Sequence, residues 1–126
     1  EDLKNSKIKL IVFLFLSSQE PSVLIENNNV KITGLYGESI PIDNIEEFSL
    51  SESIPSIIFR SNGLGLGKIK KGYFKAEGLG TVKLFLQNSK KPYIHLIDKT
   101  GNHYFINMKE PDKTSDTYSF IRKKLN

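Results

Sequence analysis

The chain has 126 residues, a length that fits one domain and leaves no room for a second full one. Hydrophobic residues make up 38% of the sequence, and eight Phe and five Tyr supply large side chains for a core. There is no cysteine, which excludes disulfides, thiolate zinc sites and cysteine nucleophiles, and the net charge of +4 permits an anionic partner without requiring one.

The N-terminal region contains the most hydrophobic stretch, IKLIVFLFL at residues 8–16, which follows Lys4 and Lys7 and includes Lys9. A membrane-spanning helix needs about 20 apolar residues, so this stretch is too short to span. Its length and its content of Val, Ile and Phe favour a strand buried on both faces. A secretion-signal core and a remnant beside a membrane anchor are the alternatives. We therefore expect residues 1–21 to form an extra N-terminal strand or a membrane-proximal segment.

Residues 22–110 alternate short apolar runs with turn residues, which is typical of a β-sheet protein. Hairpins are predicted at the Asn27-Asn28-Asn29 turn, at residues 78–80 and at residues 99–102. Residues 61–71, SNGLGLGKIKK, are predicted to form a flexible or sharply turned loop because three glycines fall within five positions. The count is seven to nine short strands.

The C-terminal residues 112–125 change to a helical period. Thr114 is predicted to cap the first turn, basic residues fill the last turn, and Tyr118, Ile121 and Leu125 share one face. The sequence thus predicts one mostly β domain over residues 1–126, a sandwich or small barrel of seven or more strands closed by one C-terminal helix.

Charge is segregated along the chain. Residues 38–52 have five acidic and no basic residues, a net −5, whereas residues 60–91 have eight basic residues and one acidic residue, a net +7. This separation is compatible with self-association or with a directional surface field; solvated strand faces and loops of one sign each are the simpler interpretation.

The basic, glycine-rich stretch is the candidate binding site. It lacks the GxxxxGK[ST] pattern and the helix of a nucleotide-binding loop, but backbone N–H groups beside lysines suit an anion such as a lipid phosphate. The alternative is a close-packed connection whose glycines serve the backbone. The candidate anion-binding residues are Lys68, Lys70 and Lys71, and the candidate interaction loop comprises Asn62, Gly63, Gly65 and Gly67.

Other chemistries are disfavoured. A hairpin turn centred on residues 100–101 pairs Asp98 with His103 and places His95 opposite Ile106, which separates the two histidines and argues against a metal site. Paired catalytic carboxylates and a GxSxG elbow are missing, and the pattern of RNA-binding aromatics is absent. We expect no enzymatic activity, no cofactor, no metal, no small-molecule substrate and no nucleic-acid partner.

Several segments together resemble the bacterial pleckstrin-homology (PH)-like domain family over roughly residues 22–125. The segments are LYGESI at residues 35–40, DNI at 43–45, RSNGLG at 60–65, GYF at 72–74 and FI at 105–106, followed by the terminal helix. The resemblance implies a PH-like barrel of two roughly orthogonal antiparallel sheets closed by a C-terminal helix.

The resemblance also implies a kind of role. Such domains are not known as enzymes, mostly lack an assigned function, often follow membrane-spanning helices, and some assemble into rings. The phosphoinositide-binding pattern of eukaryotic members has no matching position here, so no lipid site is carried over. We expect an interaction or assembly domain of a membrane-associated protein, with a protein partner or self-association, and with the cytoplasmic face favoured. An anionic membrane surface is the other expected partner.

Overall fold

The computed structural model describes the backbone of residues 2–126 and all of their side chains except those of residues 2, 3 and 17. The elements are α1 (Asp2–Ser18), β1 (Val23–Glu26), β2 (Asn29–Ile32), β3 (Glu38–Pro41), a 3₁₀ turn (Ile42–Asn44), β4 (Ile45–Ser51), β5 (Ile57–Leu66), β6 (Ile69–Ala76), β7 (Gly80–Leu86), β8 (Tyr93–Asp98), β9 (His103–Ile106) and α2 (Pro111–Leu125).

The strands form two sheets, as predicted. One has the order β1-β2-β3, and the other has the order β4-β8-β9-β7-β6-β5. Neither sheet closes on itself as a barrel. The prediction of purely antiparallel sheets is wrong at one pair, because β7 and β9 run parallel. After β7 the chain forms the β8–β9 hairpin, and β9, not β8, lies beside β7. Because β9 runs antiparallel to β8, it has the same direction as β7.

The main core lies between the three-stranded sheet, one face of the larger sheet and α2. Phe48 of β4 stacks on Tyr118 of α2 with ring centroids 5.3 Å apart, and Ile121 is fully buried. Leu125 packs against the same cluster, so the predicted apolar face of the C-terminal helix is confirmed. A second cluster, which includes Leu84 and Phe105, lies on the other face of the six-stranded sheet and is flanked by Ile54 and Ile57.

The first turn of α2 differs from the prediction. Thr114 caps no N–H group of that turn; it is buried, and its Oγ1 accepts the N–H of Met108 at 2.9 Å. Pro111 occupies the start of the helix, where its fixed φ suits the helical backbone and its missing N–H costs nothing.

The predicted N-terminal strand is wrong, because residues 8–16 lie in helix α1. Their apolar side chains are not buried in the domain: exposures range from 40% at Phe13 to 65% at Ile11. A lone strand would leave its backbone N–H and C=O groups unpaired, whereas a helix satisfies most of them internally. Within the part of the chain that the structure describes, no helix has the length and apolar character needed to cross a membrane.

Candidate interaction surfaces

The predicted glycine-rich loop is mostly a strand. Asn62, Gly63 and Gly65 belong to β5, which pairs with β6 through Leu66, and only Gly67 and Lys68 form the turn between them. The loop prediction failed because the glycines are compatible with a strand wherever two backbones approach closely. The candidate interaction loop is therefore an edge strand followed by a tight turn.

Gly63 shows why this strand needs glycine. It faces Gly72 across the ladder, and a Cβ at Gly63 would lie 2.4 Å from the carbonyl oxygen of Lys71. A Cβ at Gly72 would lie 2.7 Å from the Cα of Gly63. Gly67 has a different reason for being glycine, since its φ of +58° is in the left-handed region and the space around it is open.

The three candidate lysines do not share one surface environment. Lys68 is exposed in the turn and Lys70 is half-buried on β6. Lys71 is only 1% exposed, and its Nζ donates to the carbonyl oxygen of Gln19 at 2.9 Å. Burial lowers the pKa of Lys71 to about 8, against an opposing effect of the nearby Glu20 carboxylate. Lys71 is thus committed to the segment that follows α1.

That segment is held by contacts from several elements. Gln87, just after β7, donates through Nε2 to the carbonyl oxygen of Ser18 at 2.6 Å, next to the Lys71 contact with Gln19. These two bonds satisfy carbonyl groups at the C-terminal end of α1, where the helix has no partners of its own. We call residues 18–20 with Lys71 and Gln87 the α1 joint.

Glu20 completes the α1 joint. Its carboxylate accepts the backbone N–H of Lys109 at 2.6 Å and the ammonium of Lys113 on α2 at 2.5 Å. Burial raises the pKa of Glu20, but the hydrogen bonds and charges of those two lysines outweigh it, and the pKa lies below its usual value. The joint therefore connects α1 to β6, to the end of β7 and to α2.

The two edge strands of the larger sheet differ in character. On β4, Glu46 and Glu47 are exposed, and the strand pairs only with β8 among the described residues. On β5, Ile58 and Phe59 are 58% and 56% exposed beside Arg60, and the strand pairs only with β6 within residues 2–126. The acidic and basic segments of the sequence thus include opposite edges of one sheet.

One ion pair joins these two segments inside the molecule. Lys83 on β7 donates to Glu38 on β3 at 2.7 Å, and the lysine side chain is 8% exposed. Its Nζ also lies 5.0 Å from the centre of the Tyr73 ring. Part of the charge separation therefore serves to hold the two sheets together.

The predicted separation of the histidines is wrong. Nε2 of His95 lies 2.8 Å from Nδ1 of His103, and both rings stack in a row with Phe105. The observed register pairs His95 with Phe105, one residue away from the predicted register. A one-residue slip changes which residues share a face, and here it brings both histidines to the same face. Burial and the neighbouring His103 lower the pKa of His95, with Glu47 opposing them.

Asp98 causes this slip. It does not pair with His103 but folds back into the turn, accepting bonds from the N–H and hydroxyl of Thr100 and from the backbone and side chain of Asn102. The hydroxyl of Tyr104 donates to the same carboxylate at 3.1 Å. Burial raises the pKa of Asp98, but these bonds overcome it and lower the pKa to about 2.

Three surface cavities accompany these features. One of about 330 Å³ lies between β4 and α2, and one of about 380 Å³ lies around Lys83 and Tyr73. The third, of about 450 Å³, lies between the end of α1 and the β2–β3 turn, with Leu16, Leu35 and Tyr36 in its lining. Among the side chains that the structure describes, no three from His, Asp or Glu converge as metal ligands.

Sequence reasoning missed the α1 joint and the histidine contact. Gln87 carried no signal, because a single glutamine after a strand is unremarkable. Lys71 carried a misleading one, since it follows two other basic residues in a segment that looked like a loop. The one available hint was that Lys71 shares the strand period of Tyr73 in β6, which places both on the same face.

Two packed sheets with a C-terminal helix against the core define the class of the chain as a PH-like β domain. A family model described as bacterial PH domain matches residues 22–119, and the chain belongs to that family. The match covers the sheets and most of α2 and begins after α1. No curated protein and no solved structure matched the chain. PH-like domains are generally binding modules and not enzymes.

Proposed function

We propose that this bacterial PH domain is a non-enzymatic interaction and assembly module that works beside a membrane. α1 supplies the membrane contact, and the edges of the six-stranded sheet supply the protein contacts. The observation that carries the proposal is the apolar half of α1, which lies outside the core of the domain with its side chains exposed.

The membrane contact follows from how α1 is built. A helix that is apolar all round is stable in lipid or in a protein interior, but the apolar side chains of residues 8–16 are 40–65% exposed. At 1.5 Å per residue this stretch is about 13 Å long, less than half of a bilayer core of about 30 Å. Lys4 and Lys7 precede it, Lys9 lies at its N-terminal end, and all three suit anionic headgroups. We infer a shallow, inclined insertion.

The protein contact follows from the sheet edges. The exposed Ile58 and Phe59 of β5 give an apolar patch on an edge strand, and unpaired edges are templates for pairing with another chain. Two register shifts, between Ile57 and Phe59 and between Arg60 and Asn62, interrupt the strand and limit continuous pairing to a short stretch. Glu46 and Glu47 on the opposite edge are acidic and complement the basic segment that includes the β5 edge of a second copy.

A crossed pair of variants tests both contacts. Ile11→Glu/Phe15→Glu places charges on α1, and Ile58→Glu/Phe59→Glu places the same charges on β5, at residues of similar exposure. In flotation with vesicles of phosphatidylcholine and phosphatidylglycerol, the α1 variant should remain at the bottom while the β5 variant floats with the vesicles. Equal flotation of both variants would refute the role of α1.

Light scattering at low and high salt tests assembly, with the α1 variant used throughout so that α1 cannot aggregate. The mass should exceed that of a monomer at low salt and fall at high salt, because exposed charges are screened beyond about 10 Å at 0.1 M salt. Adding Ile58→Glu/Phe59→Glu should give a monomer. A monomer under every condition at high concentration would exclude self-assembly.

The second candidate function is binding of anionic phospholipid or phosphate by the basic turn. Lys68 is exposed beside the left-handed Gly67, and Lys70 lies two residues further on, which supports an anion contact at these two positions. Lys71 is not offered as a ligand because its Nζ contacts Gln19. Lys68→Ala/Lys70→Ala should reduce sedimentation with phosphatidylglycerol vesicles and leave binding to phosphatidylcholine unchanged. Unchanged binding to both lipids would remove this candidate.

A further inference from the structure

The cavity at the base of α1 suggests a second point of contact with lipid. It lies between the last turns of the helix and the β2–β3 turn, and its volume of about 450 Å³ is in the range of small-molecule sites. Leu16 belongs both to the apolar stretch of α1 and to the cavity lining. The exposed apolar surface of the helix therefore reaches the cavity at Leu16.

The cavity keeps its position relative to α1 because the α1 joint fixes the end of the helix. Lys71 and Gln87 bind the carbonyl groups of Gln19 and Ser18, and Glu20 is bound to Lys113 on α2. Leu16 and Gln19 are three residues apart, about 4.5 Å along a helix axis. An α1 that inserts into lipid would therefore bring the cavity to the membrane surface.

The chemistry of the cavity favours an acyl chain over a phosphate group. Leu16, Leu35 and Tyr36 provide apolar surface, and no described lysine or arginine lines the cavity. The one charged residue among its described lining is Glu20, whose carboxylate would repel a phosphate and already accepts bonds from Lys109 and Lys113. Tyrosine is also a residue that favours the boundary between lipid and water.

The backbone of the turn also leaves the cavity accessible. Gly34 has a φ of +99°, and an added Cβ there would meet no atom within 4 Å, so the space beside the turn is open. Tyr36, by contrast, packs against the main core, and its Cε2 lies 3.3 Å from the place that a Cβ of Gly72 would occupy. A packed aromatic wall next to open space suits a flexible chain that enters from the membrane side.

We propose that this cavity takes an acyl chain of a membrane phospholipid when α1 is inserted, so that the β2–β3 turn is a second lipid-contacting element. The inference rests on the proposed membrane role of α1. It goes beyond that role because it assigns lipid contact to the domain itself, through Leu35 and Tyr36.

Tryptophan fluorescence gives a direct test, since the chain contains no tryptophan. Leu35→Trp places the probe in the cavity, and Leu79→Trp is the control, in the β6–β7 turn at a 40% exposed leucine. Tyr36 of the cavity lies beside Gly72, and the four residues of β6 after Gly72 extend about 13 Å toward that turn, so the control position is remote from the cavity. Leu35→Trp should shift its emission to shorter wavelength on binding to phosphatidylcholine–phosphatidylglycerol vesicles, and it should lose emission in vesicles with dibrominated acyl chains. Leu79→Trp should do neither.

The outcomes separate the inference from the proposed function. If the protein floats with vesicles but bromine does not quench Leu35→Trp, the cavity proposal fails and the role of α1 stands. If the protein does not float, both fail. A blue shift that grows with protein concentration in the absence of vesicles would assign the cavity to a second copy and overturn the proposal. Should circular dichroism show that Leu35→Trp is misfolded, Leu35→Cys with an attached environment-sensitive dye replaces it, because the chain has no other cysteine.

Discussion

Replacing Gly63 with alanine tests whether the glycine-rich segment is a packed strand. The new Cβ would lie 2.4 Å from the carbonyl oxygen of Lys71 and 3.1 Å from both the Cα of Gly72 and the backbone N of Tyr73. Ordinary C···O contacts in sheets are about 3.3–3.6 Å, so β5 and β6 must separate locally by about 1 Å. All three neighbouring atoms belong to the backbone, so no side chain can move aside to relieve the contact.

The expected cost is about 2–3 kcal/mol, at the upper end of overpacking penalties because ladder hydrogen bonds also lengthen. Two matched substitutions calibrate it. Gly65→Ala would place its Cβ 3.5 Å from the Arg60 side chain, an ordinary contact at an ordinary φ, and should be neutral or stabilising by up to about 0.5 kcal/mol. Gly67→Ala must adopt a φ of +58° and should cost about 1 kcal/mol.

Urea unfolding and thermal unfolding, both followed by circular dichroism, measure these differences. Gly63→Ala should lower the melting temperature by about 10 °C, Gly67→Ala by a few degrees, and Gly65→Ala not at all. A flexible loop would accept all three alanines with similar small effects, apart from the left-handed position. Equal stabilities of Gly63→Ala and Gly65→Ala would refute the close packing of β5 on β6.

Three further predictions concern titration. Hydrogen bonds overcome burial and lower the pKa of Asp98 to about 2, so the free energy of unfolding should fall by about 2 kcal/mol as the pH falls from about 4 to about 2. In urea unfolding, Asp98→Asn should lack this dependence on pH. Burial lowers the pKa of Lys71 to about 8, so between that pH and about 10.5 the unfolded chain binds more protons than the folded chain. The free energy of unfolding should therefore rise by roughly 3 kcal/mol between pH 8 and about 10.5. Lys71→Met should lack this rise. If the free energy of unfolding of either variant changed with pH in parallel with that of the wild type, the corresponding prediction would be contradicted. Because burial and His103 lower the pKa of His95, its NMR titration midpoint should lie below 6.5, and acidification through this range should destabilise the fold. His103→Phe should move the midpoint up. An unchanged midpoint would show that the two rings do not interact.

Local chemistry was sufficient for much of the architecture. The Asn27-Asn28 turn has two left-handed residues, as asparagine favours, and it joins β1 and β2 where the sequence predicted a hairpin. The spacing of Tyr118, Ile121 and Leu125 predicted the buried face of α2 because a helix places such residues on one side wherever it packs. Both signals arise from neighbours within a few residues.

The positions of the functional candidates required more. Asp98 accepts bonds from residues 100, 102 and 104, and this turn shifts the register by one residue, which only then brings His95 beside His103. From its neighbours in the sequence, Lys71 resembles an exposed anion ligand. In the structure its Nζ donates to the carbonyl oxygen of Gln19, a residue 52 positions away in the chain. No local pattern encodes such a contact, because either residue alone is compatible with solvent.

The sequence by itself determined a mostly β fold with a C-terminal helix, since turn residues and apolar periodicity act over short distances. Tertiary structure alone decided the state of residues 8–16. A short apolar run satisfies a buried strand and a helix equally well by composition, and the choice depends on whether a neighbouring strand edge accepts its backbone groups. Among the described residues no strand pairs with this run, so its backbone lies in a helix and its apolar side chains are exposed outside the core.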